Sequence, residues 1–247
     1  MKGLTNAVSI VIESTGERIH SLDDWGLAIT NNDYIKEPEQ ETSYITIPGA
    51  SIDIDMSEAQ TGHPVYKSRE IAIEFGGVRE RLYWDPVISD FRNKIEGRIV
   101  HLIFDNDKGY YWRGRAAITD FDRVRKLGTF KLEIPHADPF KYDVFSSNDP
   151  WEWDPFDFVN GVIRYIGPLS INNTTIIVPK GNKLVVPIFE INYINGGNLT
   201  VTVAGKTYPL KVGENRFPQI HVAGEEEVSI TFNGQGRGKV YYRGGSL

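Results

Sequence analysis

The sequence contains no cysteine among its 247 residues. This absence excludes disulfide bonds, thiolate metal sites and cysteine nucleophiles, so the fold does not depend on an oxidising compartment. No apolar run is long enough to cross a bilayer as a helix, and we expect no membrane insertion. Residues 1–6 lack the apolar segment of a secretory signal, so we expect no export by a signal peptide.

Basic residues are fewer than acidic ones. The chain has 27 Lys and Arg against 33 Asp and Glu, which gives a net charge of -6. A general nucleic-acid binder needs a basic surface to neutralise phosphates. We therefore expect no nucleic-acid binding.

Signatures of catalysis are also missing. The sequence has no phosphate-binding glycine loop, no Gly-x-Ser-x-Gly elbow and no His-Glu-x-x-His helix, and its five histidines are scattered. The segment from Asp105 resembles the start of a calcium loop, but Tyr110 occupies the glycine position and Ala116 the glutamate position. We expect no catalytic residue, no metal site and no cofactor.

What the chain does have is the composition of a β-rich fold, with 24 glycines, 13 prolines and 12% aromatic residues. In the first half, residues 8–12 predict a strand that returns after a turn at residues 14–16. Residues 69–75 alternate, which predicts that Ile71, Ile73 and Phe75 face inward. Further strands are predicted for residues 25–30, 44–47 and 51–55.

One helix is predicted in the chain, over about residues 85–96. Trp84, Val87, Ile88, Phe91 and Ile95 recur at helical spacing. We expect Asp85 to cap the helix, Pro86 to occupy its first position, and Gly97 to follow its end. An apolar stripe of this kind indicates packing against a sheet.

Two hairpins complete the first half, over residues 98–117 and 118–134. Phe130, Leu132 and Ile134 share one face of the last strand. The first unit is therefore predicted to be a β-barrel or β-sandwich with one helix packed on it.

A proline-rich segment, residues 134–142, follows. Each proline fixes φ and lacks a backbone donor, so Pro135 and Pro139 cannot both lie inside a regular element. We interpret Pro135, Pro139, Phe140 and Tyr142 as a stiff inter-domain junction between domains 1–140 and 141–247. An ordinary loop between two strands is the alternative interpretation.

The second half predicts short strands without a helix. Their candidate ranges are residues 159–165, 174–178, 184–191, 199–203, 208–212, 228–232 and 239–242. Glycine-rich turns are predicted between them, including residues 195–197 and 233–236. The pattern is typical of a β-sandwich. Basic residues near the C-terminus, including Lys239, indicate a charged edge strand.

Aromatic and acidic side chains alternate from Trp151 to Phe158. Trp151 and Trp153 could stack on sugars or dock a partner protein. Packing of these rings against their own domain is the interpretation that we favour, and both stay open.

The order of several short motifs resembles the distal tail protein (Dit) family of long-tailed, non-contractile phages. The motifs are Ile47-Pro48-Gly49, Tyr66-Lys67-Ser68-Arg69 before Ile71-Ala72-Ile73, Trp84 at the helix start, Gly97-Arg98, Tyr110-Tyr111-Trp112-Arg113-Gly114-Arg115, and Ala137-Asp138-Pro139-Phe140-Lys141-Tyr142. Their order over residues 44–142 carries the resemblance, and the second half matches by pattern alone.

The resemblance implies a structural protein of the virion tail tip, or baseplate hub, of a phage or prophage. Residues 1–140 would build a homohexameric ring, and residues 141–247 would form a galectin-like β-sandwich outside it. The ring would lie between the tail tube protein and a tail-associated hub, fibre or receptor-binding protein. We expect Tyr110, Tyr111 and Trp112, on the exposed edge of the hairpin at residues 98–117, to form the subunit interface.

Two other functions stay open. One is a carbohydrate-binding β-sandwich module that uses Trp151 and Trp153 on cell-surface glycans without catalysis. The other is a polysaccharide-cleaving enzyme. A hub with glycan binding on its outer domain is compatible with the first of these, because fold does not decide function.

Overall fold

The structure is a computed structural model, and it describes residues 6–78, 83–124, 126–150 and 162–247. The chain divides into two compact units. Unit 1 comprises residues 1–106 and 112–139, and unit 2 comprises residues 107–111 and 140–247. The division between Pro139 and Phe140 falls within the proline-rich segment, and the tip of one hairpin, residues 107–111, belongs to unit 2.

Unit 1 contains two antiparallel sheets that share one core with a helix. The first sheet has the order β2-β1-β7-β8 within unit 1, and the second has the order β3-β6-β10-β9. Their strands are β1 (Val8–Ile12), β2 (Arg18–His20), β3 (Ala28–Ile29), β6 (Arg69–Val78), β7 (Ile99–Phe104), β8 (Tyr110–Arg115), β9 (Ala117–Val124) and β10 (Leu127–Ala137). A separate pair, β4 (Tyr44–Ile45) and β5 (Ile54–Asp55), forms a two-stranded sheet.

Alternation along the strands builds this core. Ile71, Ile73 and Phe75 on β6 are fully buried, as are Phe130 and its partners on β10. Phe130 lies directly opposite Phe75, and the rings of these residues are 5.5 Å apart. Side chains that alternate on a strand reach one face, so the sequence pattern correctly predicted the inward-facing residues.

The helix α1 (Trp84–Ile95) covers this core. Trp84, Ile88, Phe91 and Ile95 are its buried residues, as predicted. Asp85 does not cap the helix, because Tyr83 occupies the cap position, without a side-chain hydrogen bond. Asp85 lies in the first turn, where its negative charge interacts favourably with the positive end of the helix dipole. Pro86 is the third residue of the helix instead of the predicted first. Gly97 has a φ of 69°, which fits a glycine just past a helix end.

The ring of Trp84 fixes the start of the helix on the sheet. Its Nε1 donates a hydrogen bond to the carbonyl oxygen of Lys126 at 3.1 Å. The ring lies so near Gly128 that a Cβ there would be 2.5 Å from it. A glycine at this position is therefore required by the close approach of an indole ring.

β10 runs further than expected. It continues through Pro135 to Ala137 instead of ending at Ile134, and its register with β6 shifts between Ile134 and Ala137. A bulge tolerates a residue that lacks a backbone donor, so Pro135 fits inside the strand. Pro139 lies outside any strand.

Unit 2 is built on two long strands that pair with each other, β14 (Ile188–Val203) and β17 (Val228–Tyr241). The sheet has the order β12-β17-β14-β15, with β13 also on β17 and β16 also on β14. The remaining strands of unit 2 are β11 (Lys141–Asp143), β12 (Pro168–Asn172), β13 (Thr175–Val178), β15 (Lys206–Leu210), β16 (Gly213–Arg216) and β18 (Gly245–Ser246). β11 pairs with β18 and with the first two residues of β8.

Several strand boundaries in unit 2 were wrong. The predicted turns at residues 195–197 and 233–236 lie inside β14 and β17, where they face each other across a shift in register. Residues 162–165 are not in a strand. Lys239 lies on a central strand, because β17 has neighbours on both sides.

The fold class is mainly β with a single helix among the described residues, as predicted, and it is consistent with a β-sandwich. Within those residues no sheet closes into a barrel, so the sandwich option for unit 1 holds and the barrel option does not. The galectin-like character of residues 141–247 stays a prediction. In the described part of the chain, no helix has the length and apolar character needed to cross a membrane.

Candidate interface and junction residues

Tyr110, Tyr111 and Trp112 are consecutive on β8, so their side chains alternate between two faces. Trp112 is 6% exposed and belongs to the core of unit 1, where it lies opposite Leu102. The guanidinium carbon of Arg69 lies 4.4 Å from the centre of its ring, so the indole face also holds a buried cation.

Tyr111 lies in unit 2 and stacks on a predicted junction residue. It is directly opposite Tyr142 of β11, and their ring centres are 5.4 Å apart with an interplanar angle of 20°. The Arg243 guanidinium carbon is 5.7 Å from the Tyr111 ring. Stacked rings bounded by a cation are a stabilising arrangement worth about 1 kcal/mol per contact.

Lys183 extends this stack on the side of Tyr142. Its Nζ lies 3.4 Å from the centre of the Tyr142 ring and 5.6 Å from that of Phe140. A second cation, Lys141, lies 4.2 Å from the Tyr110 ring and binds the carboxylate of Asp107 at 2.6 Å. Tyr111, Tyr142 and Phe140 thus form one cluster with Arg243 and Lys183, whereas Tyr110 and Lys141 form a separate pair, because neighbouring residues of a strand point to opposite faces.

The expected free edge of the hairpin at residues 98–117 is occupied. β7 pairs with β1, and Tyr110 and Tyr111 of β8 pair with β11. The expectation that this edge is exposed at the two tyrosines was wrong, because backbone groups there already bond within the chain. That Tyr110, Tyr111 and Trp112 form a subunit interface stays a prediction.

A buried ion pair lies beside the aromatic cluster. Arg164 Nε contacts the Asp143 carboxylate, and the side chains are 6% and 15% exposed. Burial raises the pKa of Asp143 above its usual value of 3.8, although Arg164, Arg243 and Lys183 act in the opposite direction. The desolvation of this carboxylate therefore outweighs its pairing.

Unit 2 also buries two polar side chains, Ser147 and Tyr242. Ser147 is fully buried; its Oγ donates to the carbonyl oxygen of Val240 at 2.7 Å and accepts from the Tyr242 backbone N–H at 2.9 Å. Burial raises the pKa of the Tyr242 hydroxyl to about 12, with the charge of Arg164 acting against it. Arg243 Nη1 donates to the carbonyl oxygen of Asp143 at 2.6 Å. These contacts join Asp143 and Ser147 to residues 240–243.

Unit 1 carries a contrasting ion cluster at its surface. Arg113 donates from Nε to Glu13 Oε2 at 2.6 Å and from Nη2 to Glu13 Oε1 at 3.0 Å. His101 Nε2 lies 3.0 Å from Glu13 Oε2. The Arg113 hydrogen bonds hold the pKa of Glu13 at about 2, below its usual 4.5, with burial opposing the shift and His101 adding to it.

Sequence reasoning did not identify the lysine that contacts the Tyr142 ring or the arginine that pairs with Asp143. Arg164 and Lys183 stand far from Asp143 and Tyr142 in the chain, and no spacing rule joins them. Trp151 and Trp153, the predicted glycan-docking residues, lie outside the described residues. Among those described, no group of three or more His, Asp and Glu side chains could hold a metal ion.

Exposed apolar side chains concentrate in one segment of unit 1, residues 44–56, which we call the arm. Six large apolar residues there are exposed: Tyr44, Ile45, Ile47, Ile52, Ile54 and Met56. Ile45 and Ile54 are directly opposite each other on β4 and β5. A groove of about 630 Å³ is lined by this segment and its flanks, with Ile45, Met56 and Val65 among polar residues.

Comparison with known proteins gave one kind of match. No family model matches the sequence, and no curated protein matches it. The fold is similar to the crystal structure of the SPP1 Dit (gp 19.1) protein, described as a paradigm of the hub adsorption apparatus in phages that infect Gram-positive bacteria. The TM-score is 0.61 at 9% sequence identity, and the match covers 97% of this chain and 99% of that chain. At this identity the likeness shows the fold, and it extends over both units.

Proposed function

We propose that this protein is a structural hub of a phage or prophage tail tip, assembled as a homohexameric ring between the tail tube protein and a tail-associated hub, fibre or receptor-binding protein. The observation that carries the proposal is the fold likeness to a hub adsorption protein over nearly the whole of both chains. A likeness confined to one sandwich would be weak support, because such domains serve many functions. The proposed role is scaffolding in the virion, without catalysis.

The arm supports self-assembly. Ile52 is 82% exposed and Ile45 and Ile54 are 50% and 46% exposed, in a segment with six apolar side chains. Exposed apolar side chains gathered in one segment favour contact with another protein, because their contact with water is unfavourable. Within the described residues, β4 and β5 pair only with each other, so both also offer backbone groups to a further strand.

We assign the arm to a second copy of this chain. A head-to-tail contact that repeats around an axis closes into a ring, and such a ring needs one surface that projects and another that receives it. In the proposed hub, residues 1–140 supply these surfaces and residues 141–247 face the outer partners. Tyr110 and Tyr111, which are half-buried within the chain, are a further proposed contact.

Mass measurement tests the proposal. The purified chain is studied by light scattering over a concentration series, together with Ile52→Asp. We expect the wild type to reach the mass of six chains, and Ile52→Asp to remain a single chain, because a carboxylate would be placed in an apolar contact.

The matched control is Ile177→Asp, which changes an isoleucine that is 61% exposed in unit 2. This control should assemble as the wild type does. Assembly by Ile52→Asp, or equal loss in both variants, would refute the role of the arm. Release of reducing sugar from bacterial cell walls by the purified protein would contradict a purely structural role.

A further inference from the structure

One outer face of the large sheet in unit 2 carries polar side chains in rows that cross its strands. Asn172 on β12 lies opposite Gln235 on β17, and Gln235 lies opposite Asn195 on β14. Gln235 Nε2 donates to Asn172 Oδ1 at 3.4 Å, and Asn195 Nδ2 donates to Gln235 Oε1 at 3.1 Å. We call these three exposed side chains the amide row. Residues directly opposite on one face lie side by side, so the three amides form a continuous polar strip.

An aromatic and a basic side chain flank the amide row. Tyr193 lies opposite Arg237, and each is two residues from the row along its own strand, hence on the same face. Tyr193 is 54% exposed, so about half of its surface is accessible to a ligand. An aromatic ring beside hydrogen-bonding groups suits a ligand that has one apolar face and polar groups at its edge.

The backbone is unusual at this place. Asn173, Gly196, Gly197 and Gly234 all have positive φ, with values of 49°, 77°, 106° and 118°. The register of β14 and β17 shifts between Asn195 and Thr200. A Cβ at Gly234 would lie 2.5 Å from the carbonyl oxygen of Asn198. Bulges and left-handed residues inside sheets often serve to direct side chains at functional sites.

Two hydrogen bonds between Asn173 and Gly234 hold the row in place. The backbone N–H of Gly234 donates to Asn173 Oδ1 at 2.9 Å, and the N–H of Asn173 donates to the Gly234 carbonyl oxygen at 3.1 Å. Asn172 and Gln235 therefore stand next to two mutually bonded residues. Side chains held by their backbone lose less freedom when they bind a ligand.

We propose that Tyr193, Arg237 and the amide row form a binding site for a neutral glycan. A sugar ring has an apolar face, which would stack on Tyr193, and hydroxyl groups that both donate and accept hydrogen bonds. Each amide offers N–H donors and a carbonyl oxygen, and Arg237 adds donors, so both kinds of hydroxyl contact can be met.

The charges nearby favour a neutral ligand. In the next row, Lys239 lies opposite Glu190, and Glu190 lies opposite Glu214. This mixture of signs gives no large positive field for a polyanion, whose binding requires clustered basic residues. The proposal is independent of the hub function and of Trp151 and Trp153.

Glycan binding by the full chain tests the site. The probes are an array of bacterial surface polysaccharides and neutral oligosaccharides of glucose, galactose and N-acetylglucosamine, followed by titration of those that bind. We expect binding that weakens about tenfold or more with Tyr193→Ala and with Gln235→Ala, the scale of one good contact. Tyr193→Phe should bind like the wild type, because stacking uses the ring and not the hydroxyl.

The control is Thr231→Val, on the same face of β17 but four residues from Gln235. It should bind glycan like the wild type, and unfolding midpoints of all variants would show that each is folded. The proposal is overturned if no probe binds, or if binding survives Tyr193→Ala and Gln235→Ala. Loss of binding with Trp151→Ala and Trp153→Ala but not with Tyr193→Ala would also overturn it.

Discussion

The two units differ in their main exposed features and in the burial of their ion pairs. Unit 1 exposes apolar residues on the arm and keeps its Glu13–Arg113 pair at the surface. Unit 2 buries the Asp143–Arg164 pair and presents the amide row to solvent. Because apolar surface favours contact with protein and amide groups suit hydroxyl-rich ligands, the units differ in the partners that they can bind.

The two ion pairs show that an arginine partner does not by itself determine whether the pKa of a carboxylate rises or falls. Arginine lowers the pKa of Glu13 to about 2, yet the pKa of Asp143 is raised in spite of its own arginine. Asp143 is the more deeply buried carboxylate, and the loss of hydration outweighs its attraction to Arg164. Burial therefore decides the sign of the shift.

The largest effect should come from shortening the arm. Residues 46–53 would be replaced by Asn-Gly, which can join Ile45 to Ile54 as a two-residue hairpin turn because these residues are cross-strand partners. The variant loses the exposed Ile47 and Ile52. We expect the mass in light scattering to fall from six chains to one with the thermal midpoint unchanged. A mass of six chains for the shortened variant would contradict the assignment of the arm to ring assembly.

Next in size is the loss of the buried cation. Arg164→Met leaves the Asp143 carboxylate buried without its main partner and should lower the free energy of unfolding of unit 2 by about 3 kcal/mol. Arg113→Met in unit 1 is the matched control. Its side chain and that of Glu13 are 36% and 38% exposed and reach solvent, so the expected loss is less than about 1 kcal/mol. Urea unfolding followed by hydrogen exchange in each unit measures both, and equal losses would contradict the assigned difference in burial.

A smaller effect is expected on the outer face of unit 2. Thr175, Thr231, Thr202 and Thr207 lie opposite one another in turn across four strands, and their hydroxyls pair at 3.0 Å and 2.9 Å at the two ends. Thr202→Val should change the free energy of unfolding by about 1 kcal/mol or less, because the hydroxyl that it loses bonds at a solvent-exposed surface. A much larger loss in urea unfolding would mean that this face is covered.

The smallest effect concerns pH. The lowered pKa of Glu13 stabilises the folded chain above about pH 4.5, and this contribution is lost as the pH falls towards 2. The raised pKa of Asp143 acts in the other direction: its folded state binds the proton more tightly, so stability falls as the pH rises above 3.8. Glu13→Gln and Asp143→Asn should therefore change the slope of stability against pH with opposite signs, as measured by thermal midpoints between pH 3 and pH 6.

Local patterns predicted the long strands and the helix of unit 1 well, whereas the strands predicted over residues 25–30, 44–47 and 51–55 are each only two residues long. Alternation identified the buried residues of β6 and β10, and the spacing from Trp84 to Ile95 identified the helix. These features depend on the spacing of residues that lie close together in the chain, which can be read from the sequence. The predicted cap was wrong because the helix begins at Trp84, which places its cap at Tyr83, two residues before Asp85.

Unit 2 was predicted less well, because glycine and asparagine occur both in turns and in irregularities inside strands. Asn195-Gly196-Gly197 and Asn233-Gly234 fit turns, but they form facing irregularities inside β14 and β17. The amide row depends on register between strands far apart in the sequence, and so does the Asp143–Arg164 pair. No local pattern shows which distant strands pair or in what register. The two-residue spacing of Tyr193 and Asn195 did indicate that they share a face.

The most direct test of the central claim is negative-stain electron microscopy of the largest species formed by the purified full chain. The account predicts class averages of a closed ring with six-fold symmetry, which disappears in Ile52→Asp. Single chains at every concentration, an open filament or a ring of another symmetry would contradict it.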